Sequence, residues 1–185
     1  GRMLRLFETG DREEDRIVAN LRAVGVTVWE KDPETGMQVR FEACGGHFAM
    51  SLDGVGEGFK ESKKPHTLEF KTMNEKSFKA TKSMGVKQSK PIYWAQCQLG
   101  MHLAGLDRCF FFAVNKNTDE IYGERIRLDK AEAKLLISKA ENVVFSALPP
   151  EKLSDDPSDW RCKFCSYFAV CHGCKIPEVS CRTCS

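Results

Sequence analysis

The chain has 185 residues, 42% of them hydrophobic and 29% charged, with a formal net charge of +2. That length supports one domain with a real core, or one domain plus a small appendage. No run of eighteen apolar residues exists, which excludes a transmembrane helix, and the near-neutral total says nothing of partners, although its distribution does.

The start, Gly1-Arg2-Met3, carries no sign of a signal peptide, and a cytoplasmic chain is expected. Gly10 to Ala23 reads as a helix with Asp11 as N-cap and an apolar stripe of Leu6, Ile17, Leu21 and Val24. Glu13, Glu14 and Asp15 would then occupy its first turn, where the helix dipole favours acids. Next come two alternating runs, Val26–Glu30 and Gln38–Ala43. Asp32-Pro33-Glu34-Thr35-Gly36 between them is a turn, so a β-hairpin is expected. Gly45-Gly46 makes a second turn into an apolar strand from His47 that ends in Asp53-Gly54. His47 reads as a surface residue and Cys44 as a small buried side chain. Gly54 to Lys64 reads as a flexible connection at the mouth of any site formed by its neighbours.

His66–Thr72 reads as a buried strand after Pro65. Side chains alternate along a strand, so Glu69 and Lys71 share one face and Phe70 takes the other. If this strand pairs with the one ending at Asp53, Asp53, Glu69 and Lys71 converge. Two carboxylates can hold a hard divalent cation such as Mg²⁺ or Mn²⁺, which takes oxygen ligands. A lysine beside it can orient water or neutralise a phosphate. Nine lysines lie between Lys60 and Lys90 against Glu61, Glu69 and Glu75. Lys60, Lys63, Lys64, Lys76, Lys79, Lys82 and Lys87 are therefore candidate phosphate contacts.

Asn74 caps a short helix over Glu75–Met84, and Gly85–Ser89 is a loop. Pro91 then opens a helix to Leu103. Arg108–Val114 is strongly apolar and is expected to be central and buried on both faces. Asn115–Thr118 turns it into an alternating partner, Ile121–Leu128. Asp129 caps a long helix, with the stripe Ala133, Leu136, Ile137, Ala140 and Val144, that ends by Leu148 before Pro149-Pro150. This order predicts an α/β domain over residues 1–150, a mixed central sheet flanked by helices. Residues 151–185 form a small tail.

An aspartate followed by Glu-x-Lys on the next strand resembles the PD-(D/E)xK nuclease superfamily. Two further segments are similar to its RecB-like and lambda-exonuclease-like branches. Gly10-Asp11-Arg12-Glu13-Glu14 fits a Gly-x-x-x-(His/Glu) element with Glu14, Glu13 being the competitor. Tyr93-Trp94-Ala95-Gln96-Cys97-Gln98 resembles the Tyr-x-x-Gln-x-Gln segment of lambda-exonuclease-like and YqaJ-type phage nucleases. The resemblance spans residues 10–148. It implies a restriction-endonuclease-like core and a DNA exonuclease of phage or prophage recombination or repair in a bacterial cytoplasm. It implies Mg²⁺ or Mn²⁺ on Asp53, Glu69, the Phe70 carbonyl and Glu14, with Lys71, Tyr93 and Gln96 also catalytic. A phage single-strand annealing or recombination protein is the implied partner. A nucleic-acid-binding protein on the same fold, without turnover, is the alternative.

Six of nine cysteines fall in the last 24 residues, as Cys162-x2-Cys165-x5-Cys171-x2-Cys174-x6-Cys181-x2-Cys184. Such pairs of thiols bind Zn²⁺ or an iron–sulfur cluster. The Cys-x2-Cys-x5-Cys spacing resembles the iron–sulfur staple of RecB-like nucleases and implies a [4Fe–4S] cluster. The upstream cysteine of that pattern has no counterpart before Gly10. Cys44, His172 or a later cysteine must therefore supply the fourth ligand to Cys162, Cys165 and Cys171, Cys174 being the choice within the tail. Cys181 and Cys184 begin a second site or belong to another subset of four.

Overall fold

A computed structural model describes residues 1–148, 150–163, 165–173 and 175–176, without the side chains of Arg2 and Leu6. They fall into two compact units, Gly1–Val144 and Phe145–Ser185. Among the described residues no helix is long and apolar enough to cross a membrane.

In the first unit, α1 (Arg2–Ala23) precedes β1 (Thr27–Trp29), β2 (Arg40–Ala43), β3 (Phe48–Ser51), β4 (Gly54–Glu57) and β5 (His66–Met73). Then come α2 (Glu75–Ser89), α3 (Pro91–Leu103), β6 (Arg108–Asn115), β7 (Ile121–Arg127) and α4 (Lys130–Phe145). Five strands form one sheet in the order β1-β4-β5-β6-β7, and β2 and β3 form a separate pair. Only β5 and β6 run parallel, joined through α2 and α3 as a parallel crossover requires. The architecture is the expected α/β domain with a mixed sheet flanked by helices.

The period-two alternation of β5 and β6 divides the core. Leu68, Phe70 and Val114 pack with Ile17, Val18 and Leu21 of α1 on one face. Cys109, Phe111 and Ala113 pack with Phe78, Cys97 and Met101 from α2 and α3 on the other. Strand β6 is central, but Phe110 and Phe112 remain half-buried, because α1 covers only part of their face.

Several boundaries differ from expectation. Helix α1 starts two turns earlier, since nothing from Met3 to Thr9 breaks a helix, so Asp11 caps nothing and Glu13, Glu14 and Asp15 lie mid-helix. The dipole therefore does not account for them. Val24 is the C-cap residue and 78% exposed; Leu6 lies outside the described side chains. The Asp32–Gly36 turn forms, with Asp32 Oδ1 accepting from the Glu34 and Thr35 N–H groups. Only one bridge, Lys31 with Gln38, follows it, because β1 pairs with β4 and β2 with β3. The expected connection at 54–64 contains β4. Its glycines permit close approach: a Cβ on Gly54 would lie 3.0 Å from the Trp29 carbonyl oxygen, and one on Gly56 3.1 Å from the Phe59 ring. Asn74 caps α2 through the Ser77 N–H at 2.9 Å, and Gly85, at φ 76°, kinks it where a loop was expected. In α4 only Ala133 is fully buried. Cys44 is half-buried and His47 exposed.

Candidate active site

The site is built on a strand edge that β4 leaves open. Strand β4 pairs with β5 only from His66 to Leu68, so beyond Leu68 the β4 side of β5 has no ladder. The residue before β4 is Asp53, and the antiparallel register Gly54–Leu68 carries it opposite Glu69. The Phe70 backbone faces this open edge: its N–H donates to Asp53 Oδ2 at 2.7 Å, and its carbonyl accepts from Lys71 Nζ at 3.0 Å. The Lys71 ammonium also pairs with Glu69 Oε1 and lies 4.0 Å from Asp53 Oδ2. Three hard oxygens thus converge on one cation. The strand pairing differs from expectation, since β3 pairs with β2, yet Asp53, Glu69 and Lys71 are brought together.

Burial sets the electrostatics. The Glu69 side chain is 3% exposed, and Oε1 has no hydrogen-bond partner among the described residues beyond its contact with the ammonium. Desolvation pushes its carboxyl up to about 7 against the pull of Lys71, helped by Asp53. Desolvation likewise raises Asp53, opposed by Lys71 and the Phe70 N–H. Burial alone would lower Lys71, but the Glu69 and Asp53 carboxylates outweigh it and raise its pKa. Across the cleft, Glu14 is pushed up to about 7 by desolvation and then by the Asp53 charge. It is Glu14, rather than Glu13, that feels this site; Glu13 pairs with Arg16 at 2.7 Å.

Lys71 opens into a cleft of about 440 Å³ between α1 and the end of β5, whose walls include Phe7, Gly10, Glu14, Phe70 and Tyr93. Asp53 and Glu69 lie behind Lys71 and do not line it. The Tyr93 ring stands 5.4 Å from Lys71 Nζ and stacks on Phe111 at 6.3 Å, which fixes it as a cation–π support. Gln96 is half-buried, makes no hydrogen bond among the described residues and does not line the cleft. Its neighbour in the motif, Gln98, is fully buried and structural: Nε2 donates to the Arg127 carbonyl at 3.0 Å and Oε1 accepts the Asp129 N–H at 2.7 Å. Phe7 and Asp11 also border the cleft; sequence reasoning assigned Phe7 no role and Asp11 only that of a cap. The one signal for them was the i, i+3, i+4 spacing with Gly10 and Glu14 once the helix is started early.

The lysines divide. Lys60, Lys63 and Lys64 are exposed ahead of β5, nine, six and five residues before Glu69, and five residues of strand span about 16 Å. No residue of the segment 54–64 lines the cleft. Lys76, Lys79, Lys82 and Lys87 are exposed on α2. Lys79 pairs with Glu75 at 2.5 Å and Lys82 with Glu120, while Lys87 lies 4.9 Å over the Trp94 ring.

A divalent cation fits this donor set. Asp53 and Glu69 flank the Lys71 ammonium, and Glu14 is raised by burial and by the Asp53 charge, so three carboxylates share a region that holds one ammonium. The structure shows no preformed centre, however: among the described residues no group of three or more His, Cys, Asp or Glu side chains is arranged to hold a metal ion.

In the second unit, Cys162 is buried and Cys165 and Cys171 are exposed, all as free thiols. The Cys165 N–H closes a turn on the Cys162 carbonyl at 3.0 Å, and the short helix α5 (Phe168–Cys171) carries the third thiol. These three and His172 line one cavity of about 70 Å³. Cys174, Cys181 and Cys184 lie outside the described residues.

No family model matches the chain, and no curated protein matches it. Among solved structures, the crystal structure of SSO0001 is similar over 88% of this chain and 68% of its own length, with 15% identity and a TM-score of 0.54. The crystal structure of LHK-Exo in complex with dAMP is similar over 72% of this chain and 64% of its own, with 17% identity and a TM-score of 0.48. The first shows a shared fold.

Proposed function

We propose that the chain is a divalent-metal-dependent DNA nuclease, an exonuclease hydrolysing phosphodiester bonds in phage or prophage recombination or repair. The observation that carries this reading is the open edge of β5. There Asp53, Glu69 and the Phe70 carbonyl lie within 4.0 Å of the Lys71 ammonium, behind a cleft that Glu14 lines from the far side. Asp53, Glu69 and the Phe70 carbonyl would hold Mg²⁺ or Mn²⁺, with Glu14 reaching in from α1. When bound, the metal supplies an activated water and neutralises charge on the phosphate.

The chain's own residues do the rest. Lys71 lines the cleft while Asp53 and Glu69 lie behind it, so it orients the attacking water and pairs with the phosphate oxygens. Tyr93 holds the ammonium there. Gln96, one turn further along α3, has a free amide for the next phosphate, and Lys76 and Lys87 on α2 extend the path of the strand. For the second unit we propose a [4Fe–4S] or zinc centre on Cys162, Cys165 and Cys171, which share one cavity, with Cys174 completing it and His172 as the competing ligand. Such a centre would fold that unit, since metal binding free energy becomes folding free energy. A phage annealing or recombination protein is the proposed partner. Linear DNA incubated with Mn²⁺, against EDTA and against Asp53→Ala, tests the nuclease assignment: degradation only in the first supports it, and equal results in all three defeat it.

A further inference from the structure

We infer that Phe7 and Gly10 of α1 form a subsite for an unpaired nucleobase, so that the cleft takes single-stranded DNA; this rests on the nuclease reading and names its substrate. The inner face of α1 carries Phe7, Gly10, Asp11, Glu14, Ile17 and Leu21 at helical spacing. Toward the C-terminus this face is core: Ile17 and Leu21 are 4% and 8% exposed. Toward the N-terminus the same face leaves the sheet and becomes the wall of the cleft.

Gly10 is the telling position. A glycine inside a helix is destabilising relative to alanine. Most buried glycines are explained by a close neighbour or a left-handed backbone. Gly10 has neither among the described residues: a Cβ there would meet nothing within 4 Å, and its backbone is helical. Among the described residues the absent side chain answers no packing need. What it does is keep the cleft open midway between Phe7 and Glu14.

Phe7 is 60% exposed and borders that space. A large apolar ring in water beside a charged site gains nothing from folding, but it offers a flat face. Seven residues of helix separate it from Glu14, about 10 Å, so a base on Phe7 can belong to the strand whose phosphate lies at Lys71. The cleft wall adds Asp11, Glu13 and Glu14 to the acids behind Lys71, and carboxylates repel a phosphate backbone. Attraction in this half of the cleft must therefore come from the base, and a base inside a duplex cannot present its face to a ring. Stacking on an aromatic side chain is tolerant of sequence.

The test uses the full chain and two probes of equal length, oligothymidylate and an all-abasic strand, each fluorescently labelled. Affinity is measured by anisotropy in Ca²⁺, and cleavage separately in Mn²⁺. Phe7→Ala should weaken oligothymidylate binding by roughly 5- to 100-fold, the range stacking supports, and leave the abasic strand unchanged. Phe7→Trp should restore the difference between the strands. Gly10→Leu should bind oligothymidylate as poorly, while its thermal midpoint stays equal or rises, since leucine favours the helix. Phe7→Ala that binds both strands like the parent would overturn the inference, as would equal affinity of the parent for both strands. Phe7-dependent binding without cleavage in Mn²⁺ would keep the subsite and defeat the nuclease reading instead.

Discussion

Replacing Glu69 with glutamine should stabilise the metal-free protein at neutral pH while removing its activity. The Glu69 carboxyl is raised from 4.5 to about 7, first by desolvation. A carboxyl whose folded-state pKa lies above its unfolded value favours folding only when protonated, so its ionisation weakens the fold as pH rises from 4.5 through about 7. Above that window the penalty is complete. Two and a half pH units at about 1.4 kcal/mol each give on the order of 3 kcal/mol. In the parent the Glu69 and Asp53 carboxylates outweigh burial and raise the Lys71 pKa, so Lys71 does not contribute to the pH dependence there. Glutamine keeps the volume and cannot ionise. Urea unfolding of both proteins with chelator present should therefore show a gap of roughly 3 kcal/mol at pH 8 and under about 1 kcal/mol at pH 5. At pH 8 the gain corresponds to roughly 6–12 °C in the thermal midpoint. Mn²⁺ should then raise the midpoint of the parent and not that of Glu69→Gln. Should Glu69→Gln prove less stable than the parent at both pH values, Glu69 is a structural partner of Lys71 and the reasoning fails.

The two motif glutamines should separate. Gln98→Leu strands a buried carbonyl and a buried N–H, at about 1–3 kcal/mol each, and should unfold at markedly lower urea, whereas Gln96→Leu should leave the midpoint unchanged; equal losses would refute the division. Lys76→Ala should reduce the slope of log affinity for DNA against log salt by about one, and Lys79→Ala with Lys82→Ala by less, because Glu75 and Glu120 already neutralise them; an unchanged slope for Lys76→Ala places the strand elsewhere. Protein purified without oxygen should contain iron or zinc in stoichiometric amount, lost on replacing Cys162, Cys165 and Cys171 with serine. Neither metal in the parent would remove the centre.

The central strands were legible because their patterns are strong. His66–Met73 and Arg108–Asn115 are apolar, β-branched or aromatic runs bounded by turn residues, and Glu69-x-Lys71 follows from strand alternation alone. Asp53 was found by its place before Gly54, although the pairing behind it was not. Strand β4 was hidden because Gly54 and Gly56 read as loop. Their value is the close approach of Trp29 and Phe59, which is a tertiary fact. The short β1 and β2 look like one hairpin, since the Asp32–Gly36 turn is real; only the competing register with β4 decides otherwise. The start of α1 was set too late by trusting Asp11 as a cap, and that error hid Phe7. Gln98 and Gln96 cannot be told apart by spacing, because what distinguishes them is the end of β7.

The most direct measurement is release of acid-soluble nucleotides from linear DNA in Mn²⁺ by the parent, Lys71→Ala and Glu69→Gln, each first shown to be folded by its thermal midpoint. The account predicts metal-dependent release by the parent and a fall of at least about 100-fold in both variants, as expected when a group acting on the reacting water is removed. Release by folded Lys71→Ala at the parent's rate, or release by the parent that persists in EDTA, would contradict it.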